Sequence, residues 1–478
     1  MFHGVYVDEK ATQISKPRET TTGIAFVVGL APIHKLADPS KAVNEPILIK
    51  TFTEAKDKLG YSEEFDKFTL CQSMYMNLSV RKVAPIIFVN VLDPAKVTHT
   101  KTVAATAVTI TDGQGTLAEK YMLIDENLVV KNGDDVLVKD TDYAVEHDEN
   151  DNLVVTILTG TYASVTVAGK ALNPAGVTAS DIIGGVNLST GVITGLSLIN
   201  KVYPNFGINA ATIIAPGYSK NPTVAAAMAS LTEGINGVFR AECIIDIDST
   251  TYTKPTDAAA MKAAVGVKDP HAYLVWPCVK IGSHIIAGSA NAAAVFQYVD
   301  YERGAGMPYV PVSNKSAYVD SVVLEDGTEI ILTPEEGNIL NDKGIATYVK
   351  AEGIKLWGCE SSAYPDTNDP KDRWWNIRRF FTWHGNNFIR TYFSKVDEPI
   401  NKKLVESIID AENIVMNGYV SAGACLAASI KVSDQNTVET LADGKLYFEQ
   451  MITPPAPAQE IRNTLSFDPD ALTEALSV

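Results

Sequence analysis

At 478 residues the chain exceeds the roughly 250–300 at which one hydrophobic core stops growing, so about two to four domains are expected. Forty Lys and Arg against 57 Asp and Glu leave a net charge of −17, which argues against nucleic acid as the main partner because phosphate binding needs a basic surface. The 46% hydrophobic content is that of an ordinary globular protein, and no apolar run nears the ~20 residues that span a bilayer.

Met1-Phe2-His3-Gly4-Val5-Tyr6-Val7-Asp8 has neither the basic stretch nor the apolar stretch of a secretory signal. Five scattered cysteines (Cys71, Cys243, Cys278, Cys359, Cys425) without a C-x-x-C pair read as a reduced thiol set, and the protein is expected to be made in a cytoplasm. Residues 1–20 are polar and extended in character, with Val5 and Val7 on one face of a possible strand. Ile24-Ala25-Phe26-Val27-Val28-Gly29 and Ala84-Pro85-Ile86-Ile87-Phe88-Val89-Asn90-Val91 are continuous apolar runs, the pattern of strands buried on both faces. Between them Thr53-Glu54-Ala55 starts a helix that Gly60 ends, and Phe68 to Leu78 reads as another helix.

At Asp93-Pro94 the texture changes. Residues 101–170 alternate Val, Thr and Leu with polar residues and carry the turn pairs Asp112-Gly113 and Asn132-Gly133. Twelve acidic residues, five lysines and no arginine make this stretch an acidic antiparallel β-module inserted into a larger unit. Strand–helix alternation resumes near Ser180: strands at Ala211–Ala215, Ala241–Asp246 and Ala272–Pro277, and helices from Asn221-Pro222 through Leu231, over Asp257–Val265, and between Ala290 and Tyr301. That alternation implies parallel βαβ crossovers. A hairpin at Asp326-Gly327 follows, then a helix capped by Thr333-Pro334.

Trp374, Ile377, Phe381, His384, Phe388 and Tyr392 recur at spacings of three and four, one apolar face of a helix in which Gly385 allows a bend. Lys371, Arg373, Arg378, Arg379, Arg390 and Lys395 make the same segment basic. A second helix carries Ile400, Leu404, Ile408, Ala411 and Val415 on one stripe, with Lys402 and Lys403 near its start.

Signatures of chemistry are weak. Gly217-Tyr218-Ser219-Lys220-Asn221 stands where a nucleophile elbow would, but Asn221 replaces the second glycine, and a plain strand–helix turn is the simpler reading. No G-x-x-x-x-G-K-[ST] occurs. Asp246-Ile247-Asp248-Ser249-Thr250, at the carboxyl end of a strand, could hold a hard cation such as Mg²⁺, but routine turn and cap residues are the simpler reading. Seven histidines show no H-E-x-x-H and no i, i+4 pair, so no metal site and no cofactor are expected.

The final third runs Gly353-Ile354-Lys355-Leu356-Trp357-Gly358-Cys359, Arg373-Trp374-Trp375-Asn376-Ile377-Arg378-Arg379-Phe380-Phe381, Asp397-Glu398-Pro399-Ile400-Asn401, Gly444-Lys445-Leu446-Tyr447-Phe448 and Thr453-Pro454-Pro455-Ala456-Pro457. That order resembles the C-terminal domain of contractile tail sheath proteins of phages, R-type bacteriocins and related injection systems. Asn44-Glu45-Pro46-Ile47-Leu48-Ile49, Ser180-Asp181-Ile182-Ile183-Gly184-Gly185 and Pro204-Asn205-Phe206-Gly207 extend the resemblance to residues 1–95 and 180–478; the β-insertion is the departure.

The resemblance implies a non-enzymatic α/β and α+β multidomain chain: an α/β core (21–94 with 179–350), an inserted β-domain (95–178), an α+β domain near the tube (351–460) and extended arms (1–20, 461–478). It also implies a helical homopolymer of stacked six-fold rings around an inner tail tube protein, with baseplate and tail terminator proteins as further partners and no nucleic acid or membrane insertion. Arms would add strands to neighbouring subunits, with Val5, Tyr6, Val7, Ile461, Leu465 and Phe467 as candidates. Arg378, Arg379, Lys402 and Lys403, then Arg373 and Arg390, are the candidate tube contacts. Two other readings stand beside it: a cytosolic α/β enzyme with a cation at Asp246 and Asp248, and a surface-binding protein acting through the insertion.

Overall fold

The computed structural model describes residues 18–19 and 22–476. Nine strands form its main sheet. In chain order they are β1 (Ala25–Gly29), β2 (Ile47–Ile49), β3 (Ile86–Asn90), β4 (Thr212–Ile214), β5 (Glu242–Asp246), β6 (Ala272–Val275), β7 (Lys315–Ser316), β8 (Ile345–Lys350) and β9 (Ile354–Trp357). Their spatial order is β7-β9-β8-β6-β5-β4-β1-β3-β2. The six central strands, from β8 to β3, run parallel, and the antiparallel strands lie at the two sides. Every residue of β1, β3, β5 and β6 is buried, as the covering of both sheet faces by helices requires, and this includes Glu242 and Asp246 at the two ends of β5. β9 pairs with β8 in this sheet, so the main sheet reaches past the boundary expected at residue 351.

Local signals explain where helices begin. Helix α1 (Phe52–Leu59) starts one turn-residue earlier than expected, because Thr51 accepts a bond from Glu54 N at 3.1 Å. Asn221 caps Pro222–Ser230 by accepting from Thr223 N at 2.9 Å, and Thr333 with Glu336 forms a reciprocal capping box on Pro334–Asn341. Helix α2 (Gly288–Glu302) is alanine-rich because it runs inside the core, with 12 buried residues. Its amides bond neighbouring elements: Asn291 donates to Ala317 O (2.9 Å), and Gln297 donates to Pro85 O (2.7 Å) while accepting from Asn77 (2.8 Å). Close approach fixes Gly23 beside this helix, since a Cβ there would lie 2.8 Å from Gln297 Cα, and its φ is +64°.

The insertion has its own apolar cluster, including Val108, Val130, Leu153, Val155 and Val167. Around it lie a three-stranded sheet (Tyr143–His147, Asn152–Ile157, Gln114–Lys120) and a four-stranded one (Thr100–Thr109, Ser164–Leu172, Val129–Asn132, Asp135–Val136). Asp112 and Gly113, at φ +53° and +83°, form a tight hairpin turn that Thr111 and Gln114 close with reciprocal backbone bonds. The module is more than tethered at its ends. Tyr121, Leu123 and Leu172 join the main core, and Asp151, 2% exposed, accepts from His34 Nε2 (3.1 Å), Lys35 Nζ (2.6 Å) and Ser62 Oγ (3.1 Å).

Candidate assembly surfaces

Helix α3 (Trp375–Tyr392) joins the main sheet to the C-terminal elements, and it is buried on two sides. One side meets the core. Trp375 packs on Tyr273 with ring centroids 5.0 Å apart, and Asn386 clamps the backbone of Arg240, accepting from its N at 3.0 Å and donating to its O at 2.7 Å. Arg379 makes a bidentate pair with Asp300 of α2 at 3.1 and 2.5 Å and lies over the Phe296 ring. Burial pushes the Asp300 carboxyl up while the Arg379 guanidinium pulls it down.

The second side of α3 faces helix α4 (Lys402–Ser421) and the hairpin of β10 (Ala427–Val432) and β11 (Phe448–Thr453). Phe380 meets Tyr419 edge-on at 5.3 Å, and His384 bridges Tyr419 Oη (3.1 Å) and Gln450 Oε1 (2.7 Å). Asn376 donates to Tyr309 O (2.8 Å) and Pro455 O (3.2 Å), which pins the proline-rich segment. Beyond it Gln459 bonds Glu360, and the chain then runs exposed to a terminal helix at Asp470–Leu476. Helical residues at 470–476 depart from the uniformly extended arm that was expected.

Two burial directions correct the expected stripes. Buried residues of α3 include Asn376, Arg378, Arg379, Thr382, His384 and Asn386, while Phe381 and Phe388 are half-buried. On α4 the buried line is Ile408, Glu412, Met416 and Tyr419, whereas Ala411 and Val415 are exposed. The α3 helix runs through Gly385 without a break.

The cations separate accordingly. Arg378 and Arg379 are not outward-facing, being 6% and 3% exposed and paired with Asp372 (3.2 Å) and Asp300. Arg373 is sandwiched between Trp374 and Tyr364, 3.7 Å from Glu360. Arg390, Lys402 and Lys403 remain on the surface; Lys402 lies 3.4 Å from Glu406, and Arg390 donates to Gly207 O at 3.3 Å. Of the strand candidates, Ile461, Leu465 and Phe467 are 87%, 87% and 77% exposed in a non-helical stretch without strand pairing. Val5, Tyr6 and Val7 lie outside the described residues.

β10 and β11 form a two-stranded ribbon, so each has an outer edge with no further strand on it among the described residues. Such a ribbon is marginal alone and offers main-chain N–H and C=O groups to an added strand. Leu426 and Met451 are exposed beside it, as is Ile414 on α4.

The runner-up chemistry is not assembled. Asp246 is buried and accepts from Ser219 Oγ (2.7 Å), Ser289 N (2.7 Å) and Ser289 Oγ (2.6 Å), so the serine of the candidate elbow is an interior tether. Burial raises its carboxyl pKa against those bonds. Asp248 serves its own turn, accepting from Thr250 N (3.0 Å) and Thr251 Oγ1 (2.6 Å). Among the described residues no group of three or more His, Cys, Asp or Glu could hold a metal, and no helix is long and apolar enough to cross a membrane.

No protein-family model matches the chain. It is 27% identical over 328 residues to a protein assigned as a prophage major tail sheath protein of Pseudomonas aeruginosa (strain UCBPP-PA14), covering 66% of this chain and 79% of that one. It is 25% identical over 199 residues to the tail sheath protein of Escherichia phage P2, covering 40% and 46%. Its fold matches a chain of the anti-feeding prophage baseplate (TM-score 0.58, 15% identity, 97% and 98% covered). It also matches the contracted sheath complex of an extracellular contractile injection system (TM-score 0.56, 14% identity, 98% and 99% covered). The resemblance to contractile tail sheath proteins thus holds in sequence and in fold.

Proposed function

We propose that this chain is the structural subunit of a contractile tail sheath, which polymerises helically around an inner tube and contracts to drive the tube through a target envelope. The observation that carries this reading is a sheath fold shared over 97–98% of the chain, combined with 27% identity to a tail sheath protein. The internal use of Asp246, Asp248 and Ser219 removes the motive for an enzymatic reading. Copies joined head to tail without closing a ring generate a helix. The exposed edges of β10 and β11 suit strand addition by the arm of a neighbouring copy, which leaves bodies free to rotate while the mesh stays connected. Stacked six-fold rings, the tube protein, a baseplate and a tail terminator complete the proposed particle. Its assembly is placed in a bacterial cytoplasm, before the tail joins a virion or a released injection particle.

Two outcomes follow for assembly. Truncation after Pro457 removes Ile461, Leu465 and Phe467 but leaves the Asn376–Pro455 bond in place. The product is expected to be folded by circular dichroism and monomeric by size-exclusion and negative-stain microscopy. Removal of residues 1–17 should act likewise, since it spares the pairing of Arg18 and Glu19 with Val83 and Ala84. Undiminished tube formation by both truncations would refute arm exchange. For the tube contact, reversal of Arg390, Lys402 and Lys403 to Glu should abolish sheath growth on purified tubes without loss of fold. Exposed ion pairs are individually worth ~0–1 kcal/mol, which suits a track that must release, and growth by the triple variant at physiological salt would exclude it.

A further inference from the structure

A cavity of about 350 Å³ opens between α3 and the ends of β1, β4 and β5. Its walls are apolar, with Ile24, Leu48, Phe206, Ile208 and Trp383 among them, but its polar groups are unmatched. Glu242 and Thr382, 2% and 4% exposed, present Oε1 and Oγ1 without a hydrogen-bond partner, and neither the Oδ1 nor the Nδ2 of Asn209 has one. Unpartnered buried atoms occur elsewhere in the chain, but here three side chains bring four of them around one space, which marks a place for polar contact.

Charge gives the cavity a direction. Two buried carboxylates, Glu242 and Asp300, stand against one buried guanidinium, and Arg379 is committed to Asp300. His271 Nδ1 lies 3.8 Å from Glu242 Oε1, beyond hydrogen-bond range, and is itself unpartnered. At the rim the lining includes the exposed Arg390. A matching group is cationic at its leading end, apolar along a short stem, and acidic or neutral at the mouth.

We propose that this cavity binds a primary alkylammonium group, held by Glu242 with Asn209 and Thr382, whose hydrocarbon stem lies along Ile24 and Ile208. Two sources share that chemistry: a free ω-amino acid, or a lysine side chain presented by a second copy of the chain. Calorimetric titration of the purified full chain with ε-aminocaproate, cadaverine and caproate tests it. Saturable binding is expected for aminocaproate, weaker binding for cadaverine because its second ammonium meets Arg390, and none for caproate. Glu242→Gln should weaken aminocaproate binding at least tenfold, and Asn209→Leu, at a less buried position, provides the same reading should the first variant not fold. Equal responses to aminocaproate and caproate, no response to either amine, or unchanged binding by a folded variant would each overturn the site. Added aminocaproate that blocks self-association assigns the group to a lysine of a second copy, and binding that leaves assembly unchanged assigns it to a free molecule. Because binding is measured on the unassembled chain, a failure here leaves the sheath reading standing.

Discussion

Asp300→Ala is expected to cost about 3–5 kcal/mol of stability, because it leaves the buried Arg379 guanidinium without its bidentate partner. The pair is bidentate, both side chains are buried, and it connects α2 of the main core to α3. Removing one partner leaves a buried charge without its ion-pair partner, whereas removing both does not. Asp300→Leu with Arg379→Met should therefore recover most of the loss, because replacing a buried pair with packed apolar groups is often neutral or better. Urea denaturation of both single variants and the double variant measures the coupling directly. A single-variant loss below ~1 kcal/mol would mean that the joint rests on the Trp375–Tyr273 and Asn386–Arg240 contacts instead. The joint matters for function, since α3 also carries Asn376, which pins the start of the C-terminal arm.

The main sheet was legible in the sequence because parallel strands covered on both faces leave near-continuous apolar runs, and Ala25–Gly29 and Ile86–Asn90 lie within such runs. Helix starts were legible where a side chain does the capping, as at Asn221 and Thr333. What periodicity could not show was that α3 is buried on two sides. A search for one apolar stripe puts Arg378 and Arg379 in solvent, because the reading assumes that whatever lies off the stripe is wet. The usable signal was in α2: Asp300 is the first charged residue of an alanine-rich helix, a position that calls for a buried partner. The same reasoning applies to Asp151, which the acidic texture of the insertion concealed. One carboxylate among twelve acidic residues of residues 101–170 gives no sequence sign that it alone turns inward.

That inward carboxylate makes the junction of the insertion acid-sensitive. His34 is buried, and its Nε2 faces Asp151 while its Nδ1 has no partner. The arrangement fits a neutral imidazole donating from Nε2, because a second proton would create a buried N–H with nothing to accept it. Burial accordingly pushes the His34 pKa down to about 4, and the ionic partner of Asp151 is Lys35. His147, whose ring lies edge-on to His34 at 4.9 Å, is lowered as well by burial. Asp151 is held down at about 2 by His34 and Lys35, which outweigh its burial. Glu64, bonded to Tyr121 and to Lys120 at 2.6 Å, also faces this junction, with Asp148 acting on His147 and Asp66 on Tyr121.

Below the unfolded histidine pKa of ~6.5 the unfolded chain takes up a proton that folded His34 refuses, so stability falls from pH ~6.5 toward 4. Between about pH 7.5 and 5 that one residue should remove about 2 kcal/mol, with His147 adding in the same direction. Asp151 acts in a lower window: its depressed pKa stabilises the fold above ~4, and that contribution disappears as pH falls toward 2. His34→Gln keeps a donor without the titration, and should flatten the pH slope while lowering stability at neutral pH by the loss of ring packing on Phe68 and Tyr121. Hydrogen exchange should show the loosening first at the contact of residues 121–123 and 147–151 with the core, before the strands of the main sheet. Equal stability of the native chain at both pH values, or the same slope in His34→Gln, would show that the junction does not sense protons.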